Sequence, residues 1–137
     1  MLRPKVIELS SQTSRVRLPF SFIAKNHVGS MYFGALAMGA ELSVALKVVD
    51  SMQNDKVPVS FIFKDFNCQF LKRAVSDTDF YCNEVAQIEA LIQKALSTNQ
   101  RVDQQFNGYA MPSKSTSKED QLMTYQLTIS IKPTGKK

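Results

Sequence analysis

The sequence has 137 residues, of which 44% are hydrophobic, and it carries a formal net charge of +5. This length and composition predict a single globular domain with a core of its own. The 17 basic residues form no block of like charge, and several lie close to the two termini. We therefore expect no nucleic-acid partner.

The cysteines and the N-terminal segment indicate where the protein works. Cys68 and Cys82 match neither a metal-binding nor a redox spacing. The segment MLRPKVIELSSQ lacks the apolar core of an export signal. We therefore expect reduced thiols, no bound metal and a cytoplasmic protein. Residues 1–137 are expected to form one domain, with 1–14 and 133–137 flexible or peripheral.

The first predicted strand covers residues 15–24, where apolar and polar side chains alternate. This period of two is typical of a half-buried strand. Pro19 lies within it, and indicates a sheet edge or an irregular start. Residues 25–30 are then predicted to be a connection, with Ser30 as the N-cap of the following helix.

A long helix is predicted from the stretch Asn26 to Asp50, which is almost entirely apolar and contains no proline. A helix of about 20 residues would be about 30 Å long. Apolar residues lie on every side of it, so other structure should wrap it. Glu41 is the anomaly, because a carboxylate in such a helix is costly unless it is paired, hydrated or used in chemistry. That carboxylate and the many Ala and Gly residues argue against a membrane span.

The second half of the chain predicts more strands and one further helix. A long strand from residue 57 changes its apolar parity at Lys64 and Asp65, which indicates a bulge. A short strand, Thr78–Cys82, precedes an amphipathic helix that Asn83 caps. Strands at 101–111 and 123–131 follow, separated by a polar loop. The order predicts an α+β fold in which one antiparallel sheet curls around one long helix.

The start of the long helix also resembles a known family. Asn26, Gly29, Tyr32-Phe33-Gly34 and Glu41 stand at the spacings where the thioesterase-like superfamily of hot-dog proteins has Asn, Gly, His-Gly-Gly and an acidic residue. The strand ending FLKRA and the helix EVAQIEALIQKAL are similar to those of a branch with Tyr-Phe-Gly or His-Phe-Gly at the motif. The resemblance covers nearly the whole chain from Val16. It implies a hot-dog fold, an antiparallel sheet wrapped around a long central helix, with an extra outer amphipathic helix.

The resemblance implies hydrolysis of an acyl-CoA thioester at the subunit interface of a homodimer, or of a tetramer built as a dimer of dimers. Coenzyme A would be part of the substrate, and no separate cofactor is expected. Glu41 would be the general base or nucleophile and Asn26 would orient the substrate or water. Backbone N–H groups near Gly34, at the positive end of the helix dipole, would polarise the carbonyl.

Each of these catalytic assignments has a structural alternative. Gly34 is also explained by tight packing of helix on sheet, and Asn26 by its preference for turns. Glu41 is also explained as a buried carboxylate that hydrogen bonds satisfy and that anchors the dimer.

Six further residues are predicted to contact the substrate. Tyr32 replaces the family's His, and either donates a hydrogen bond to the carbonyl or packs at the mouth of the pocket. Phe33 replaces a Gly beside it. His27, the only histidine, has no matched nucleophile elbow and is expected to flank the pocket. Three basic residues are candidates for the coenzyme A phosphates, although each is also explained as a solvated strand end: Lys64, Lys72 and Arg73.

Two other functions stay open. If Tyr32 and Phe33 close the reactive end of the pocket, the chain is a non-catalytic protein that binds acyl-CoA or a fatty-acyl group. If the pairing of hot-dog domains is its only role, the chain serves assembly.

Overall fold

The computed structural model describes residues 3–20 and 29–135. Within these ranges the elements are β1 (Lys5–Leu9), β2 (Ser14–Leu18), α1 (Phe33–Asn54), β3 (Val59–Phe70), β4 (Thr78–Cys82), α2 (Val85–Thr98), β5 (Val102–Pro112) and β6 (Met123–Pro133), with a 3₁₀ turn at Lys118–Asp120. The strands form one sheet in the order β1-β2-β4-β5-β6-β3, and every neighbouring pair is antiparallel. Both helices pack on the same face of this sheet. The predicted α+β architecture, one antiparallel sheet around a long helix, is confirmed.

The bulge predicted in the long strand β3 is confirmed. Its register against β6 shifts between Phe63 and Asp65, so that one extra residue lies on the β3 side. The shift moves Phe66 to the face that Phe63 occupies before it. A strand that alternates strictly would have turned its second half to the wrong side, so the bulge keeps both halves packed against the helices.

The long helix α1 packs on the sheet through small residues. Gly39 faces the ring of the fully buried Phe80, and a Cβ atom added there would lie 2.3 Å from that ring. Gly39 therefore allows the helix axis to approach the sheet closely. Among the described residues, no helix is long and apolar enough to cross a membrane.

One expectation for α1 is wrong. The helix is not wrapped on all sides within a single chain, because one face of its N-terminal half stays uncovered. Glu41 is on this face and is exposed, as is Gly34, while Ala37, Met38 and Leu42 are half-buried. The apolar residues around the helix predict burial on every side, but they do not determine which of these sides the other elements of the chain cover.

The second helix agrees with its predicted apolar stripe. Five residues of the stripe are buried: Val85, Ile88, Leu91, Ile92 and Ala95. Both predicted caps are wrong by one or two residues. The N-cap of α2 is Glu84 rather than Asn83, and that of α1 is Tyr32 rather than Ser30, and neither cap makes a side-chain hydrogen bond to its helix.

The N-terminal region differs from its prediction. A strand, β1, was not predicted; it is exposed along most of its length and pairs with β2. The predicted strand 15–24 is β2, which ends at Leu18, and Pro19 follows that last residue. Because β2 lies between β1 and β4, the edge position inferred from Pro19 is wrong. The remainder of the prediction, 21–24, lies outside the described residues, as do 1–2 and 136–137 of the two terminal segments.

Candidate active site

The residues just before α1 are fixed to the segment that follows β3. The backbone N–H of Met31 donates to the carbonyl of Ala74 at 2.7 Å. The carbonyl of Tyr32 then accepts from the N–H groups of Ala35 and Leu36, at 3.1 and 3.2 Å. Within the described part of the chain, the N–H groups of Phe33 and Gly34 have no acceptor. They are the unsatisfied donors of a helix start, where the dipole is positive.

A pocket of about 390 Å³ adjoins this helix start. Its lining is mostly apolar, and comes from residues 30–36, around the start of α1, and from residues 70–74, at and after the end of β3. The apolar residues are Met31, Phe33, Leu36, Phe70, Leu71 and Ala74. Lys72 and Arg73 also line it, and no acidic residue does so among those described. The pocket therefore suits a ligand with an apolar part and an anionic part.

Exposed apolar side chains concentrate at the mouth of this pocket. Phe33 and Phe70 are 58% and 50% exposed, and their rings meet edge to face with centroids 5.7 Å apart. Leu71, which also lines the pocket, is exposed as well. Solvent-exposed aromatic pairs of this kind are unusual unless something covers them. Leu71 was not predicted from the sequence as a pocket residue, because it follows the last residue of the strand, where the alternation stops.

Tyr32 and Gly34 occupy adjoining positions at the site. A Cβ atom on Gly34 would lie 2.6 Å from the Tyr32 ring. The ring therefore rests against the glycine, and it is half-buried against the core. The glycine at position 34 is therefore explained by its contact with the Tyr32 ring rather than by packing against the sheet. Tyr32 is not among the described residues that line the pocket, so both of its predicted parts there, hydrogen bonding to the carbonyl and packing at the pocket mouth, stay predictions.

Glu41 lies on the same face of α1 as Gly34, seven residues further along. Seven residues are almost two full turns, so the two positions are about 10 Å apart along the helix axis. Glu41 is exposed, and it has no hydrogen-bond or ion-pair partner among the described residues. Within one chain it lies too far from the free N–H groups to share a small reacting group with them.

The three basic candidates occupy two places. Lys72 is at the pocket, where its Nζ donates to the carbonyl of Glu119 at 2.7 Å, and Arg73 lines the same pocket. Lys64 lies outside this pocket, at the bulge of β3, and its Nζ is 2.8 Å from Asp103 Oδ2. The hydrogen bond from Lys64 lowers the pKa of Asp103. A phosphate contact for Lys64 stays a prediction.

Asn26 and His27 lie outside the described residues. Their predicted parts in orienting the substrate and flanking the pocket stay predictions. Their neighbour Gly29 is described, with a φ of +80° that favours glycine. No group of three or more metal-ligating side chains exists among residues 3–20 and 29–135.

The buried titratable groups lie away from this pocket. The hydroxyl of Tyr125 is 2.7 Å from Ser43 Oγ and donates to the carbonyl of Tyr81 at 3.0 Å, and burial raises its pKa. Burial also raises the pKa of Cys82 to about 11, and that of Cys68 to a lesser extent. Thiols held protonated in this way are poor nucleophiles at neutral pH.

Comparison with solved structures identifies the fold. The structure is similar to a probable thioesterase from Pseudomonas aeruginosa, with a TM-score of 0.73 and 19% identity over 95% of this chain and 83% of that one. It is similar to a mutant form of a thioesterase from Staphylococcus aureus, with a TM-score of 0.68 and 11% identity over 95% and 93% of the two chains. A protein of unknown function from Chlorobaculum tepidum has a TM-score of 0.78 and 9% identity over 95% and 82%. The fold is therefore the hot-dog fold of thioesterase-like proteins, as the sequence motif implied.

The family follows from the sequence. Residues 1–111 match the model of a domain of unknown function, DUF4442, and the chain belongs to that family. No curated protein matches the chain.

Proposed function

We propose that this protein hydrolyses an acyl-CoA thioester, in a site that a second copy of the chain completes. The pocket at the start of α1 carries the proposal, because it joins an apolar lining, two cationic side chains and two free N–H groups. The acyl group would occupy the apolar part, and Lys72 and Arg73 would meet the phosphates. Structural relatives described as thioesterases support the same class of reaction.

The helix start supplies stabilisation of the charge that develops on the carbonyl oxygen. In thioester hydrolysis that oxygen becomes an oxyanion when water attacks the carbonyl carbon. The N–H groups of Phe33 and Gly34 would donate to this oxyanion at the positive end of the α1 dipole. The same donors bind the neutral carbonyl less strongly, so they favour the transition state over the substrate.

Glu41 is the proposed general base, and it would act from the second copy. Gly34 and Glu41 lie on one helix face, with half-buried Ala37 and Met38 between them. With a two-fold axis near Ala37 and Met38, Glu41 of each copy would lie next to Gly34 of the other, because contacts across such an axis are reciprocal. The partner's carboxylate would then lie beside the helix start of the first copy, where it could accept a proton from water.

The free edge of the sheet supports this pairing. β3 is an edge strand of 12 residues, and Ile62 on it is 56% exposed. β1, at the other edge, has five residues and an irregular register. Long unprotected edges pair readily with another chain, whereas short irregular ones do so poorly. The homodimer would therefore form through β3, next to the uncovered face of α1.

The dimer is tested by placing a charge at each edge. Ile62→Lys should shift the protein towards monomer. In the dimer, the two introduced ammonium groups, one from each chain, would repel each other and lose water near the pairing edge. Val6→Lys on β1 is a matched control, since Val6 is 59% exposed and lies at the opposite edge. Light scattering over a concentration series should show a dimer for the wild type and this control. A monomeric wild type would contradict the pairing.

The reaction is tested by thiol release from short-chain, long-chain and aryl acyl-CoA, beside the matching acyl-pantetheines, which lack the phosphates. We expect turnover of at least one acyl-CoA. Lys72→Met should raise the KM for that acyl-CoA about twofold to fivefold, as for an exposed ion pair. It should leave the KM for the acyl-pantetheine unchanged. Lys94→Met, on α2, is the control and should alter neither.

An acyl-binding protein is the second candidate function. It is favoured by Phe33, whose exposed ring projects from the position where thioesterase-like proteins have glycine, and meets Phe70 across the pocket. This function predicts that coenzyme A esters bind without turnover throughout the panel. Absence of both binding and turnover would contradict both functions and leave assembly as the role.

A further inference from the structure

The face of the sheet opposite the helices holds a second cleft, of about 420 Å³. We call it the outer cleft. Among the described residues, its lining includes no charged side chain. Five carboxamide side chains line it: Asn67, Gln69, Asn107, Gln121 and Gln126.

Most of these carboxamides have their donors and acceptors available. Asn107 makes a 3.5 Å contact from Nδ2 to Glu84. The other four side chains have no hydrogen-bond partner in the part of the chain that the structure describes. Each carboxamide offers an N–H donor pair and a carbonyl acceptor. The outer cleft is therefore suited to a neutral group with both donors and acceptors on its edge.

A stack of flat side chains ends at this cleft. The Arg15 guanidinium lies 5.2 Å from the centroid of the Tyr81 ring, and Tyr81 stacks on Tyr109 at 4.9 Å with 10° between the planes. These three residues are directly opposite one another on β2, β4 and β5. The next residue in the same row is Thr124 on β6, which has no ring. The free side of Tyr109 therefore faces the outer cleft.

The space above Thr124 has the dimensions of one more ring. Gln69 on β3 follows Thr124 in the row, so it is two strands away from Tyr109. Strands in a sheet are about 4.8 Å apart, which puts the two side chains about 9–10 Å apart. A flat ring between them would lie about as far from Tyr109 as Tyr81 does.

We propose that the outer cleft binds the base of an adenine nucleotide, stacked on Tyr109 above Thr124. Aromatic side chains stack on bases, and Asn and Gln side chains form paired hydrogen bonds with the edge of adenine. A pocket of about 310 Å³ adjoins the cleft, shares Tyr109 and Gln121 with it, and is lined by Lys118. Lys118 gives the phosphate of the nucleotide a cationic neighbour. The proposal is independent of the proposed hydrolysis.

The experiment is ligand-observed NMR titration with AMP, with ribose 5-phosphate and methyl glucoside as probes that lack the base. We expect AMP to bind and both other probes to fail. Thr124→Phe should weaken AMP binding at least about tenfold, because its ring fills the space beside Tyr109. This variant extends a favourable cross-strand stack and should stay folded, with unchanged melting temperature or a higher one. Its thioester turnover should equal that of the wild type.

Two variants of Tyr109 separate the ring from its hydroxyl. Tyr109→Leu should weaken AMP binding at least about tenfold, whereas Tyr109→Phe should retain it, because the stacking face is kept. Failure of AMP to bind would overturn the proposal. So would AMP binding that Thr124→Phe leaves unchanged, since the nucleotide would then occupy another site, such as the pocket of the proposed hydrolysis. Binding of methyl glucoside in place of AMP would overturn the assignment of an adenine base to the outer cleft.

Discussion

Glu41→Gln is expected to lower kcat/KM for the best acyl-CoA substrate by roughly 10²–10⁴-fold, the usual contribution of a general base. The amide keeps the size of the side chain and removes its ability to accept a proton from water. Because Glu41 is exposed in the single chain and has no partner among the described residues, the melting temperature should change little. Steady-state thiol release and thermal unfolding, measured on the same preparation, check both expectations.

The control is Glu89→Gln on α2, which removes a half-buried carboxylate whose described partners are Lys47, at 3.4 Å, and the Gln93 side-chain N–H, at 2.8 Å. It should keep kcat/KM within about twofold, as expected for an exposed pair far from the reacting group. If Glu41→Gln turned over as fast as the wild type, Glu41 would not be the base. A variant that lost both activity and the dimer would instead support a role for Glu41 in the interface.

Gly108→Ala is expected to destabilise the protein by about 3 kcal/mol or more. Gly108 on β5 is directly opposite Tyr125 on β6, and the added Cβ atom would lie 2.3 Å from the Tyr125 ring and 2.5 Å from the carbonyl of Tyr81. The ring is fully buried, and its hydroxyl is held by Ser43 and by that same carbonyl. Neither neighbour can yield without losing hydrogen bonds in the core. A fall in melting temperature of roughly 10 °C should be seen by circular dichroism.

A double-mutant cycle tests the cause. Tyr125→Leu alone should destabilise the protein, because it removes a buried ring and leaves Ser43 without one of its contacts. Gly108→Ala added to Tyr125→Leu should then cost much less than it does in the wild type, since the ring that it meets is gone. If the losses of unfolding free energy were additive, the added Cβ atom would clash with the Tyr81 carbonyl rather than with the Tyr125 ring.

The sequence determined every element except β1 and the short 3₁₀ turn, because each of the others follows from a local pattern. The short strand Thr78–Cys82 has the predicted bounds, and β5 and β6 agree within two residues. The parity change at Lys64 and Asp65 predicted the bulge, since a period of two cannot change face without an extra residue. The motif from Asn26 to Glu41 indicated the fold through its resemblance to hot-dog proteins. The caps were missed because Tyr32 and Glu84 make no capping bond that a residue type could signal.

The tertiary structure alone decided which residues meet. Sheet register aligned Arg15, Tyr81 and Tyr109, which are far apart in the chain, and it left Thr124 without a ring beside them. The exposure of Glu41 was likewise undetermined, because the apolar residues of a helix do not show which of its faces the other elements of the chain cover. Such contacts depend on the pairing of strands that are far apart in the chain, and the local sequence around each residue carries no information about that pairing.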